Sequence, residues 1–181
     1  MAYDRLAESL RLIDGGLVAG AEPLTRRRRW LPVAVDVDTD VAVTVFLRRA
    51  HGGAEWESQV LSGVGGWHLL GGGAAGGDPL DVLTRIPTRD ELGGYARSDG
   101  AGGVLEGRGR ALLRAGRWVN HAIIETTADV ASIAVDGRRR ITRPAHGRIA
   151  VVWSGHRRLR VDIAGRGGEL LDTVRISSSG S

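Results

Sequence analysis

Asp36, Asp38 and Asp40 stand at alternate positions in the run VAVDVDTDV, residues 33–41. Three carboxylates this close are the ordinary ligands of a divalent cation, so a metal site is the first chemistry to test. A calcium loop of the EF-hand kind needs glycine at its sixth position and glutamate at its twelfth; counted from Asp36 these are Val41 and Leu47. Phosphoryl transfer through an aspartate nucleophile needs helices alternating with the strands and a lysine, and the chain offers neither. Alternate positions on a strand share one face. The expectation is therefore three aspartates on a solvent face or around a turn, with only a weak surface divalent site at Asp36, Asp38 and Asp40. No other metal and no cofactor is expected.

Glu55 and Glu57 flank Trp56 and would share a strand face, which could offer two carboxylates to a sugar. Glycoside hydrolysis sets its carboxylates on facing elements of a cleft, an arrangement that spacing along one strand does not establish. The histidines, at 51, 68, 121, 146 and 156, show no metal-ligand spacing. Gly71 to Gly76 satisfies G-x-G-x-x-G, but Pro79 and Pro87 leave no room for the helix that must follow a phosphate-binding turn. There is no G-x-S-x-G and no cysteine, which excludes thiolate nucleophiles and disulfides. An enzyme, metal-dependent or carbohydrate-active, is the least supported class, and the expectation is a non-enzymatic protein.

All 25 basic residues are arginine. Schiff-base and phosphate-loop lysines are thereby excluded, and the positive charge does not titrate. Such usage is the mark of a GC-rich bacterial genome. The net charge of +4 is unevenly spread: residues 138–175 hold ten arginines against three acids, while the rest is net negative. That asymmetry points to an acidic partner or to docking between copies. The candidate contacts are Arg26, Arg27, Arg28 and Arg29, before the first strand, and Arg138, Arg139, Arg140, Arg143, Arg158 and Arg160. Trp30 beside the first group could stack on a base.

The elements that must carry these residues follow from periodicity. Tyr3, Leu6, Leu10, Ile13 and Leu17 trace the seam of an amphipathic helix that Gly15 and Gly16 end. Leu6, Leu10 and Ile13 form its candidate interaction face, against the domain or a partner. From Val33 the period is two, with valines on odd positions and a turn expected near Asp38–Asp40. GGGAAGGDP (71–79) reads as a flexible loop, SDGAGGVLEGRG (98–109) as a loop or a glycine-laden hairpin, and Asp78-Pro79 as a helix start. Six short β-rich runs fill the last seventy residues, punctuated by Asp136-Gly137, Pro144 to Gly147, Ser154-Gly155 and Gly165 to Gly168. Arg158, Arg160 and Asp162 should lie opposite Leu159, Val161 and Ile163 on one of them.

The fold expected is mainly β: a single antiparallel β-sandwich, immunoglobulin-like or similar, of about eight or nine strands with one N-terminal amphipathic helix. The helix and linker occupy 1–22, the sandwich 23–176 and a disordered tail 177–181. No apolar run approaches the roughly 20 residues of a membrane span, and the N-terminus lacks a secretory layout, which points to the cytoplasm and away from membranes. The expected function is protein–protein binding or assembly in the bacterial cytosol, with a protein partner or a second copy. Sequence-nonspecific nucleic-acid binding through the arginine clusters is the alternative.

Overall fold

The computed structural model describes residues 4–17, 24–25, 29–50, 53–76, 83, 85–107 and 116–178. Helix α1 spans Arg5–Gly15. The Asp4 carboxylate accepts from Ala7 N at its start, and Gly16, at φ +68°, closes it by donating to Leu12 O. A left-handed residue is costly for anything but glycine, so Gly16 sets where the helix stops. The helix packs across β1 and β2 of its own chain. Ser9 and Leu12 are its buried residues, while Leu6, Leu10 and Ile13 are half-buried. The Ser9 and Thr44 hydroxyls meet at 2.8 Å beneath it.

Eleven strands follow among the described residues, with α2 (Arg89–Leu92) between β4 and β5. Sheet A is the meander β1 (Trp30–Asp38), β2 (Val41–Ala50), β3 (Gly53–Ser62) and β4 (His68–Gly76). Sheet B has the order β5-β6-β9, from Ala96–Glu106, Arg117–Thr126 and Arg148–Ser154. Sheet C has the order β11-β10-β7-β8, from Leu170–Ile176, Leu159–Gly165, Val130–Val135 and Arg139–Thr142. All pairings are antiparallel. The β-sandwich-like fold with its N-terminal helix is thus present, and it is built as three packed sheets.

Sheet B is the middle layer. Ile149, Val151 and Trp153 of β9 join Ile133, Val161 and Ile163 of sheet C in one core, while Ala150 and Val152 join Val41, Val43 and Val60 of sheet A in another. A strand covered on both faces must be apolar at every position, which is why RIAVVW does not alternate. Sheet A is also covered twice, since Ala42, Thr44 and Phe46 lie on the α1 side and are buried. All six C-terminal runs are strands, β6 to β11.

The first glycine-rich segment is a strand rather than the expected flexible loop, and the second pairs antiparallel with β6, in keeping with the hairpin alternative rather than the loop. Gly71 to Gly76 lies within β4 and Ser98 to Glu106 within β5. Pairing with β3 and β6 outweighs the poor strand preference of glycine. The expected helix start at Asp78-Pro79 and the tail beyond Ser178 lie outside the described residues. Among the described residues no helix is long and apolar enough to cross a membrane.

Candidate functional site

Only Asp36 is buried; Asp38 and Asp40 are partly exposed, and Asp40 lies in the β1–β2 turn. The β1–β2 register shifts between Pro32 and Ala34, so one extra residue enters the strand at Val33. Such a bulge reverses the facing of every residue beyond it. Leu31 and Val33 point into the core before it; Ala34, Asp36 and Asp38 take that face after it, opposite Val45, Val43 and Val41. Asp36 is buried, and its Oδ2 accepts from Val152 N at 2.8 Å and from Arg139 Nη2 at 2.7 Å. Arg139 Nη1 also reaches Asp38 at 3.0 Å, and its Nη2 donates to Val152 O at 3.0 Å.

This cluster ties β1 and β8 to the backbone of β9, the edge strand of sheet B. Asp40 makes a two-pronged bond to Arg117 Nη1 at 2.8 and 2.9 Å, and Glu106 accepts from the same guanidinium. The cations beside these three carboxylates are therefore arginines, and among the described residues no group of three His, Cys, Asp or Glu could hold a metal ion. Burial raises the Asp36 pKa to about 6 despite Arg139, with Asp38 adding repulsion. His146 Nε2 lies 3.0 Å from the carbonyl of Val33, the bulge residue, and so seals the same seam.

The candidate arginines divide by the sheet face they occupy. Arg139 faces inward, as described. Arg143 is half-buried and donates from Nε to Thr126 Oγ1 at 3.0 Å. Arg140 and Arg160, with Arg175, lie on the outer face of sheet C, opposite its core, and all three are exposed. Arg138 and Arg158 are exposed in the turns beside that face. Since β7 lies between β8 and β10, Arg140 and Asp162 flank Ala134 on one cross-strand row. Asp162 accepts from Arg160 Nε at 2.9 Å and Thr173 Oγ1 at 2.8 Å, which holds its pKa down. Arg157 pairs with Asp136 in the adjoining turn. Arg160 and Arg175 are direct partners across β10 and β11, a like-charge pair. The basic runs therefore do meet on one face, with Ser132, Ala134, Thr142 and Thr173 between them and Leu170 exposed at its corner.

Arg26, Arg27 and Arg28 lie outside the described residues; Arg29 is exposed. Trp30 stacks edge-on against Phe46 at 6.2 Å, with the Arg48 guanidinium 5.6 Å from its ring, so it is engaged within the fold. Glu55 and Glu57 do share a face, the helix side of sheet A. Glu57 is buried there, taking Arg5 at 3.0 Å, Arg48 at 3.4 Å and Gln59 Nε2 at 2.6 Å.

A feature not anticipated from the sequence is a cleft of about 230 Å³ between sheets A and B, lined by Val45, Trp56, Gly73, Gly100, His121 and Arg148 among others. His121 lies on the β6 face that carries Val119 and Ile123, opposite Gly102 on β5. A Cβ at Gly102 would sit 2.6 Å from His121 Cε1, so the imidazole lies over the glycine backbone. Burial lowers the His121 pKa, and among the described residues its buried Nδ1 has no hydrogen-bond partner. Arg148 lies 4.9 Å from the Trp56 ring centre and is held by Asp99 at 2.5 Å and by Glu125. The signal for this site is a glycine opposite a histidine on paired strands, which is visible only once the register is known. No family model, curated protein or solved structure matches the chain.

Proposed function

We propose that the chain is a non-enzymatic binding module whose basic outer face of sheet C meets an acidic protein surface. The observation that carries this reading is the Arg160–Arg175 pair. Like charges directly opposite on neighbouring strands destabilise a sheet, by a few tenths to about 1 kcal/mol. Within the fold Asp162 offsets Arg160, which leaves the charge of Arg175 in excess on this face, and an acidic partner would turn that excess into an attraction. Exposed Leu170 on the same face, and the lack of aromatic side chains along its strands, favour a protein over stacked bases. A second copy of the chain is one partner this chemistry admits, through its net-negative remainder. The all-arginine complement fits a GC-rich bacterial genome.

The test is fluorescence anisotropy with a labelled acidic peptide and with random duplex DNA of similar charge, at low and near-physiological salt. Wild type is compared with Arg175→Glu. The expected result is salt-sensitive peptide binding that the substitution abolishes. Thermal stability should rise in the same variant, because the new carboxylate faces Arg160. Preferential binding of the duplex would move the reading to nonspecific nucleic-acid binding. No binding of either at low salt would remove the face from consideration.

A further inference from the structure

The cleft between sheets A and B exists because β4 and β5, which face each other there, carry glycine at positions that line it. Gly73 of β4 pairs with Ser58 on the inner face of sheet A, and Gly100 of β5 pairs with Ile123 on the facing side of sheet B. A Cβ at Gly73 would touch only Ser58 Oγ, at 3.6 Å, and one at Gly100 would meet nothing within 4 Å. Packed sheets normally interdigitate side chains across about 10 Å, so positions open on both sides leave a space that larger residues could fill without strain. Nearby glycines have a different reason. Gly71 brings the backbone of β4 against Val104 of β5, where a Cβ would sit at 3.1 Å, and Gly102 makes way for the His121 ring. The strands therefore touch at Gly71 and Val104 and leave room at Gly73 and Gly100.

The lining sets the chemistry. Val45, Trp56, Ala74 and Ile123 make the walls apolar. The guanidinium of Arg148 is neutralised by Asp99 and Glu125, and its stacking fixes the Trp56 indole as part of the wall. Glu125 is also paired with Arg97 at 3.0 Å, so two arginines face two carboxylates and these four groups leave no net charge at the cleft. His121, kept neutral by its burial, offers one N–H and one lone pair, with Nδ1 unpartnered among the described residues. A volume of about 230 Å³ exceeds the roughly 150 Å³ of an engineered apolar cavity that holds benzene. We propose that this cleft binds a small, neutral, planar molecule of one or two rings bearing a single hydrogen-bonding group, as in a phenol or an indole.

The test uses the full chain with 13C-labelled histidine rings, titrated with p-cresol, indole and toluene and followed by NMR. Saturable shifts of the His121 ring with p-cresol or indole are expected, with toluene several-fold weaker because it leaves the imidazole unpaired. Gly73→Val and Gly100→Val fill the cleft from opposite sheets. Each should remove the saturable shifts while keeping or raising thermal stability, and either one that folds suffices. His121→Phe should bring p-cresol down to the affinity of toluene, read by thermal shift. Absence of saturable binding by every probe in the wild type overturns the proposal. So does p-cresol binding that persists in a folded cleft-filling variant.

Discussion

Replacing Asp36 with asparagine should reverse the usual expectation for breaking a buried ion pair. Asp36 and Arg139 are 2.7 Å apart, but the guanidinium is shared with Asp38 and lies at the seam's half-exposed margin. Burial of the carboxylate outweighs that attraction, and the pKa rises from 3.8 to about 6. Below pH 3.8 the carboxyl is protonated in both the folded and the unfolded chain and contributes no pH dependence. Between 3.8 and 6 the unfolded chain releases its proton first, so wild-type stability falls by about 1.4 kcal/mol per pH unit. Above 6 the loss is complete, at about 3 kcal/mol. Asparagine does not titrate. It can place its amide oxygen where Oδ2 accepts from Val152 N, while its NH2 group would face the Val37 N–H that now donates to the carboxylate. That mismatch carries a cost independent of pH, so the pH slope, rather than the offset, is the diagnostic quantity. Urea denaturation of wild type and Asp36→Asn across this range, at matched m-values, should show the wild type losing about 3 kcal/mol relative to the variant as pH rises through 4 to 6. A constant difference, or a wild type that gains with pH, would mean that the Arg139 pair dominates and would refute the reasoning.

Thr39, in the β1–β2 turn, holds φ at +59°. A β-branched residue is strained there, so Thr39→Gly should stabilise the fold by up to about 1 kcal/mol, read as a raised urea midpoint. The Ser9 and Thr44 hydroxyls satisfy each other under α1, at 2.8 Å. Ser9→Ala or Thr44→Val alone should cost about 1–3 kcal/mol, and the double variant less than the sum, in a double-mutant cycle of denaturation free energies. Gly102→Ala puts a methyl group 2.6 Å from His121 Cε1, which should displace the ring, cost about 1–3 kcal/mol and move the His121 NMR signals.

The last six strands were legible because each is short, alternates or runs apolar, and ends on turn residues with a steric reason to be there. Asp136-Gly137 is one such turn: both residues have positive φ, at +49° and +67°, and Arg138 N closes it on Val135 O. The Arg160/Asp162 face of β10 was readable for the same reason, although Arg158 falls one residue before the strand. What failed was parity. From Val33 onward the sequence alternates without a break, but a single inserted residue exchanges the two faces of β1, and the only local hint is Pro32, since proline in a strand marks an edge or a bulge. Asp36 and Asp38 thereby turn toward Arg139, the first buried and the second partly exposed, while Asp40 sits in the expected turn, partly exposed and paired with Arg117. The glycine-rich β4 failed for another reason. Propensity ranks it as a loop, yet it pairs with β3. Its glycines matter only in relation to the strand across the layer, which no local window contains. The two candidate sites differ accordingly. The basic face needs alternation plus the order of strands, so Arg140 and Arg160 were nameable from the sequence, whereas Arg175 was missed because only the β10–β11 register sets it opposite Arg160, and Arg139 turns inward. The cleft needs two registers and a layer contact at once, so His121, Gly73 and Gly100 become a constellation only in three dimensions.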